Sequence, residues 1–398
     1  MDYILITGGC GYIGVHLCKL MQKYNIIVYD NLKFGTSYLN KFCKTYKGDI
    51  SDRIKLERLF EKYKFSTVIH LAGLAHISES TNNPQLYYNN NLIYSKNLLE
   101  ISIKFKTKYF IFSSSCTVYG DHMLINNPNH IINENDILNP ISTYGRTKMM
   151  FENILKDYAS KYNFNYSILR YFNACGSDPD FEVGEYHKEE KRIIPRIINF
   201  SLGKIDELCI FGDDYNTKDG SAIRDYTHVC DIAQSHINAL EVLKNEKRNI
   251  TCNIGSGRGY SIFELIKIVE KISNKKLNVK AKPRRKGDAA FMVCCNKKAK
   301  EELNWTPKYN IEDILKTSYE WYKNRLPKII NKIHLHSYHA IEENINGDLY
   351  SGEIKDNKLN GKGKLIFSDG GICEGIFENN KFIKGKYTLE TGATMMIE

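Results

Sequence analysis

Tyr3-Ile4-Leu5-Ile6-Thr7-Gly8-Gly9-Cys10-Gly11-Tyr12-Ile13-Gly14 is the stretch that decides the fold. An apolar, strand-like run ends at Thr7, and glycines follow at the spacing Gly9-x-Gly11-x-x-Gly14, with Gly8 opening a second register. Such glycines allow a tight turn that brings backbone amides against a pyrophosphate, and the last lets a helix pack closely on the strand. The motif alone is weak, but its context fits a dinucleotide-binding βα unit. A second apolar run ends in Val28-Tyr29-Asp30-Asn31, and an Asp there can accept from ribose hydroxyls, which favours NAD over NADP.

Working outward, apolar runs at Ile26–Tyr29, Thr67–Leu71, Tyr109–Ser113 and Tyr166–Arg170 read as strands. Between them Gly14–Tyr24, Ser51–Tyr63, Tyr87–Phe105 and Thr143–Tyr162 carry apolar residues at helical spacing. This alternation predicts an α/β fold, a Rossmann-type doubly wound parallel sheet, over residues 1–180. Residues 181–325 are more mixed, with strands at Leu208–Phe211 and Thr251–Ile254 and helices at Ile193–Leu202 and Ile262–Ser273. They read as a smaller α/β substrate-binding lobe. A linker follows over 326–345; its His334-x-His336-x-x-His339 suits no known metal spacing and reads as solvated, so no metal is expected.

Residues 346–398 have their own rhythm: Tyr350-Ser-Gly352-Glu matches Cys373-Glu-Gly375-Ile after a shift of 23 residues. Alternating polarity around glycine turns at a fixed period predicts an all-β appendage of hairpins resembling MORN repeats.

Composition bounds the rest. The 398 residues are 42% hydrophobic and 26% charged, as in globular proteins. No apolar run approaches the roughly 18 residues needed to cross a membrane, and the strand-like Tyr3-Ile4-Leu5-Ile6, with no basic and apolar stretch before it, leads us to expect no signal peptide. The eleven cysteines form no Cys-x-x-Cys and read as reduced thiols of a cytoplasmic protein. The net charge of +10 sits in the body, because residues 331–398 hold eight Lys against ten acids. That excess suits a polyanionic small molecule, although abundant Lys, Asn and Ile would also follow from an A/T-biased genome. No zinc-finger spacing or basic stripe points to nucleic acid.

Phe112-Ser113-Ser114-Ser115 ends a strand, and Tyr144-Gly145-Arg146-Thr147-Lys148 opens a helix. Tyr and Lys at i and i+4 share a helix face, where an ammonium and a positive cofactor ring would both favour tyrosinate. With the glycine turn and the motifs Gly48-Asp49-Ile50, His70-Leu71-Ala72-Gly73-Leu74, Leu169-Arg170-Tyr171-Phe172-Asn173, Arg224-Asp225-Tyr226 and Arg284-Arg285-Lys286-Gly287-Asp288, residues 1–325 resemble the extended short-chain dehydrogenase/reductases, most closely the UDP-glucose 4-epimerases.

The resemblance implies that Gly8, Gly11, Tyr12, Ile13, Gly14, Asp30, Asn31, Leu32, Lys33, Phe34, Gly35, Asp49, Ile50, Leu71, Ala72, Gly73, Leu74, Ala75, Asn91, Lys148 and Phe172 line NAD. It implies Ser115, Tyr144 and Lys148 as the catalytic set, with Ser115 and Tyr144 meeting the sugar 4-hydroxyl. Asn173, Arg224, Arg285 and Asp288 would hold UDP, and Met292 would set the room for an N-acetyl group. Tyr144 would take the 4-hydroxyl proton while hydride leaves carbon 4, giving a 4-keto sugar that is reduced from its other face. Cys116-Thr117 stands where related dehydratases carry acids, which disfavours elimination. Arg192 stands where an Asn or His usually lies near the phosphate, Ala75 replaces a cofactor-loop lysine, and an Asn/Ile-rich insertion over Met123–Leu138 reads as a surface loop.

The alternatives are a 4-epimerase of the N-acetylhexosamine or xylose/arabinose pair, and a catalytically retired NAD-binding scaffold whose repeats mediate interactions. The resemblance further implies a homodimer joined through Leu92–Phe105 and Thr147–Tyr158. The repeats would contact protein rather than lipid, since a net −2 tail is not drawn to an anionic leaflet.

Overall fold

The computed structural model describes residues 2–35, 42–121, 127–185, 190–285, 288–325, 340–343, 349–355, 358–367, 371–389 and 393–397. His334, His336, His339, Lys286, Gly287 and residues 123–126 of the Asn/Ile-rich insertion lie outside the described residues, as does most of the linker. The strands of the body are β1 (Tyr3–Thr7), β2 (Asn25–Asp30), β3 (Lys44–Lys47), β4 (Phe65–His70), β5 (Tyr109–Ser115), β6 (Ile131–Ile132) and β7 (Asn165–Tyr171). They continue with β8 (Asn173–Cys175), β9 (Cys209–Phe211), β10 (Ile223–His228), β11 (Ile250–Ile254), β12 (Gly259–Ser261), β13 (Lys280–Lys282) and β14 (Phe291–Cys294).

Seven of them form one parallel sheet in the order β11-β7-β5-β4-β1-β2-β3. Its strands are nearly continuous in burial because helices cover both faces, as a buried parallel sheet requires. One face packs Ile4, Ile6, Val28 and Ile69 against the helices Tyr12–Leu20 and Val229–Glu246. The other packs Leu5, Tyr29, Val68 and Phe110 against Leu59, Leu98 and Phe151. The chain re-enters this sheet far beyond residue 180, because β11 pairs with β7 from Ile250↔Ser167 to Ile254↔Tyr171. Thr251–Ile254, read as part of the second lobe, is thus an edge of the main sheet. Lys44–Lys47, too short and polar to read as a strand, is recruited to the opposite edge by pairing with β2.

Two other segments differ from their periodicity. The expected helix Tyr87–Phe105 is interrupted at Asn89–Ile93 by a wider π turn, which turns Asn91 inward. The insertion is not wholly a surface loop: β6 pairs in parallel with β14, and Glu134 accepts from Asn253 N at 2.7 Å. Outside the main sheet the mixed lobe holds the sheet β12-β10-β14-β6 and the pair β13-β9, over a core of Ile194, Ile197, Leu265, Ile314 and Trp321.

The described tail is one antiparallel sheet, β15 (Ala340–Glu343), β16 (Leu349–Lys355), β17 (Lys358–Ile366), β18 (Ile372–Glu378), β19 (Lys381–Thr388) and β20 (Thr394–Ile397). The 23-residue shift carries Gly352 to Gly375, and Gly352, Gly363, Gly375 and Gly385 form one row across four strands. The row makes room for an aromatic ring: a Cβ on Gly363 would lie 2.2 Å from the Tyr350 hydroxyl oxygen. Tyr350, Cys373 and Phe377 form the buried centre of this small sheet.

The glycine turn after β1 is a tight joint of the body. A Cβ on Gly14 would fall 2.6 Å from the Gly8 carbonyl oxygen, a backbone atom that cannot step aside. Gly14→Ala is expected to cost about 1–3 kcal/mol through overpacking. The urea midpoint should fall with an unchanged slope.

Candidate active site

The loops at the carboxyl edge of the parallel sheet form the site, at the switch point where the chain leaves β1 toward β2 on one side and β4 on the other. Gly8 has a positive φ of 73°, and a Cβ there would lie 2.5 Å from Ala72 N. The glycine turn therefore lies directly against the turn after β4. Asp30, buried at the end of β2, accepts from Cys10 N at 2.9 Å and from Leu32 N at 2.7 Å. Each carboxylate oxygen keeps a lone pair for a hydroxyl donor. Burial raises Asp30 above the usual carboxylate range, with both backbone donors opposing it. Asp49 lies beside it: burial works against its charge, yet donors from Asn31 and Ser51 hold it below its ordinary value. Lys33 and Phe34 are exposed on the rim, and a Cβ on Gly35 would meet Cys10 O at 2.0 Å. These residues, with Gly11, Tyr12, Ile13 and Ile50, gather in the glycine turn and around the carboxyl ends of β2 and β3, a region termed the glycine cradle.

The turn Leu71–Ala75 is held by Asn91, which accepts from Leu74 N at 2.8 Å and donates to Leu74 O at 2.9 Å. The π turn thus points the asparagine amide inward, and it reaches Thr147 Oγ1 at 3.4 Å. A Cβ on Gly73 would touch Lys148 Nζ at 3.4 Å, so the turn after β4 and the catalytic candidates share one space. Below them His70 is bonded to Thr7 at 2.7 Å and to Ser95 at 2.8 Å, and burial drives it down to about 3, so it stays neutral.

Tyr144 and Lys148 stand in the first turns of the helix Thr143–Tyr162, which Ser142 caps by accepting from Gly145 N at 3.0 Å. Ser80 Oγ accepts from Tyr144 N at 3.1 Å, a support that no sequence motif signalled. Burial pushes the Tyr144 hydroxyl up to about 12, while a hydrogen bond with Ser115 opposes the rise. The expected lowering is therefore not a property of the protein alone. Lys148 donates to Ser113 O at 2.7 Å and lies 4.8 Å from the Phe112 ring centroid. Burial pulls it down to about 8, with Glu152 opposing. Cys116 adjoins this group; burial raises its thiol to about 12, so it offers neither acid nor base near neutrality.

The second lobe brings Arg224 and Met292 together, as register partners between β10 and β14. Phe172 is buried after β7, and Asn173 donates to Asp225 O at 2.8 Å. Arg285 stacks over Phe211 at 3.8 Å, and Asp288 N donates to Arg285 O at 3.2 Å. Phe211, the last residue of the strand expected at Leu208–Phe211, is thus the platform under a residue expected to meet UDP. Beside it Arg284 bonds Asp214 at 2.7 Å and stacks on Tyr215, lining a cavity of about 480 Å³ with Pro128 and Ala290.

Arg192 is the exception. It is ion-paired with Glu185 and Glu190, the latter through two hydrogen bonds of 3.0 and 3.1 Å, and lies 5.7 Å from the Tyr12 ring. Tyr322 donates to both carboxylates. The guanidinium is spent on these partners, which the sequence reading did not connect with it. Another cluster, Asp178, Asp180 and Glu182, is bridged by Lys19 at 2.6, 2.9 and 3.0 Å.

Comparison with known proteins places the chain. The family model described as the NAD dependent epimerase/dehydratase family matches residues 4–255, and the MORN repeat model matches 350–372. A UDP-glucose 4-epimerase of Rhizobium meliloti is 37% identical over 325 residues, covering 81% of this chain and 97% of the relative. A bifunctional UDP-glucose 4-epimerase and UDP-xylose 4-epimerase of Pisum sativum is 38% identical, covering 81% and 95%. The crystal structure of UDP-glucose 4-epimerase from Brucella ovis in complex with NAD superposes with a TM-score of 0.76 at 39% identity, covering 80% of this chain and 98% of that one. The chain belongs to the NAD dependent epimerase/dehydratase family, among its UDP-glucose 4-epimerases.

Proposed function

We propose that this protein interconverts UDP-glucose and UDP-galactose by inverting carbon 4 through a transient 4-keto sugar. The observation that carries the reading is the meeting of Ser115, Tyr144 and Lys148 beside the turn that touches the glycine cradle. The cradle fits NAD, because its close approaches leave backbone amides and the Asp30 carboxylate as the lining. NAD, when bound, would supply a hydride acceptor and a positive ring whose charge favours tyrosinate.

The chain's own residues do the rest. Tyr144 takes the proton of the 4-hydroxyl, with Ser115 bonded to the same oxygen region. Lys148, anchored on Ser113 O, holds positive charge near the tyrosine as the proton moves. Arg224, Arg285 and Asn173 serve the UDP portion, Phe211 offers a flat face, and Asp288 fixes the Arg285 turn. Met292, half-buried next to Arg224, bounds the sugar pocket. Cys116 leaves elimination without an acid. The relative that also acts on UDP-xylose makes the pentose pair the second reading.

The protein acts as a homodimer in this reading, with exposed Leu86, Ile93 and Met150 on the helical face that a partner copy covers. The body, 1–325, carries the chemistry, with its main sheet spanning 1–180 and 250–254. The linker and the repeats of 346–398 form an added β unit for protein contact in the cytoplasm.

Incubation with UDP-galactose, followed by proton NMR, should give the UDP-glucose anomeric signal without added reductant. Tyr144→Phe should lower the rate roughly 10²–10⁴-fold. No conversion of the hexose, N-acetylhexosamine or pentose pair by NAD-loaded protein would leave the retired-scaffold reading. Lys148 carries its proton below about pH 8, so kcat/KM should fall as pH rises through that value. Truncation after residue 330 should leave epimerisation and dimer size unchanged; loss of either would draw the repeats into the enzyme.

A further inference from the structure

Tyr144, Lys148 and Glu152 follow one another at intervals of four along a single helix face. The first two reach the proposed reaction centre; the third is fully buried with no opening to it. Glu152 Oε1 accepts from Ser114 Oγ at 2.5 Å and from Arg170 Nε at 3.0 Å, and Oε2 accepts from Arg170 at 2.6 Å. Arg170 stands opposite Ser114 in the β5–β7 register, one residue before Tyr171 stands opposite Ser115. Its remaining arm donates to Tyr119 Oη at 2.7 Å, and Tyr119 donates to Asn253 at 2.7 Å. One ion pair thus ties the catalytic helix to β5, β7, β11 and the turn that follows Ser115.

A buried pair of this kind is weak evidence of stability, because apolar residues of the same volume often hold a core as well. Its orientation suggests another use. The carboxylate lies one helical turn from Lys148, and the guanidinium is committed to Tyr119 and the strands beyond.

We propose that Glu152, held by Arg170, is the positioning residue of this site: it fixes the strand end that carries Ser115 and keeps the Lys148 amine charged inside an apolar enclosure. Three titratable groups around Lys148 agree with that role. His70, from β4, is neutral, Tyr144 is protonated in the protein alone, and Glu152 is the charge that opposes the burial of Lys148. Without the carboxylate, the amine would shed its proton at lower pH and its support of the tyrosinate would vanish there.

The proposal rests on reading Lys148 as the partner of Tyr144, and its test has a readout that does not need catalysis. In full-length protein labelled with ¹³Cε-lysine, the Lys148 resonance, identified by its absence in Lys148→Met, is followed against pH. Glu152→Gln should move its midpoint down by about one pH unit or more, the size of a nearby unit charge in a partly buried site. The alkaline limb of kcat/KM should move with it. Glu152→Gln/Arg170→Gln leaves no unpaired charge in the core; its midpoint should also fall, by less. Ser114→Ala keeps the charge and removes only one hydrogen bond, so its midpoint should stay. Midpoints equal to wild type in folded Glu152→Gln and in the double variant would overturn the proposal, as would a fall of the same size in Ser114→Ala. A wild-type protein that epimerises nothing while the midpoint still falls would sink the proposed function and leave Glu152's hold on Lys148 standing.

Discussion

Backbone meets backbone at Gly8 and Gly14 with no space for a single methyl group, and the rest of the site is arranged around that close approach. A Cβ at Gly8 would strike the turn after β4, and one at Gly14 would strike the glycine turn itself. Because the first turn cannot move away from β4, the residues after β4 are fixed relative to the cradle. Asn91 then clamps those residues from the π turn, and Lys148 comes up against Gly73. A chain of contacts only a few residues long therefore connects the end of β1 to the catalytic helix. The side chains that take part, Asn91 and Lys148, are both buried and hydrogen-bonded, which is what pre-organised chemistry needs.

The second constraint is burial of charge. The site encloses Tyr144 and Lys148 almost wholly, and enclosure alone favours the neutral form of both. A neutral tyrosine with a neutral lysine would make a poor proton acceptor. The fold answers with charge of its own placed one turn deeper, and it satisfies every arm of that ion pair. The same economy governs Arg192, whose charge is matched by Glu185 and Glu190 rather than left facing a ligand. Burial raises the Glu185 carboxyl above the ordinary carboxylate range, and the Arg192 charge opposes that rise.

Much of this was legible in the residues, and the parts that were not have identifiable causes. Strands β1, β2, β5 and β7 and the helix Thr143–Tyr162 stood out because each is apolar at a clean period. The 23-residue period announced the tail, and its glycine row is visible as Gly352, Gly363, Gly375 and Gly385. β11 was seen as a strand but not as a member of the main sheet, because pairing after an eighty-residue excursion leaves no local mark. β3 owes its strand character to its neighbour and not to its sequence. The π turn at Asn89–Ile93 is hidden for a similar reason: its apolar spacing remains close to helical while its hydrogen bonds shift. Glu152 escaped notice as one acid on an amphipathic helix, where most acids face water.

Arg192 marks the limit of reading roles by position. An arginine where relatives carry Asn or His invites a phosphate contact, since guanidinium is the better anion donor. Such an inference assumes that the surroundings stay the same. Here Glu185 and Glu190 occupy the same neighbourhood, and each competes with any diphosphate for the same donors. A fixed carboxylate a few residues away is always present, whereas a ligand must be recruited from solution, so the internal pairs win unless the ligand offers more charge in equal geometry. The arginine and its acids are therefore one unit, tied to the first helix through Tyr12, whose hydroxyl donates to Gly176 O at 2.5 Å. A residue placed for a ligand contact by position is, by its partners in this chain, part of a joint between the first helix and the segments around Glu185 and Gly176.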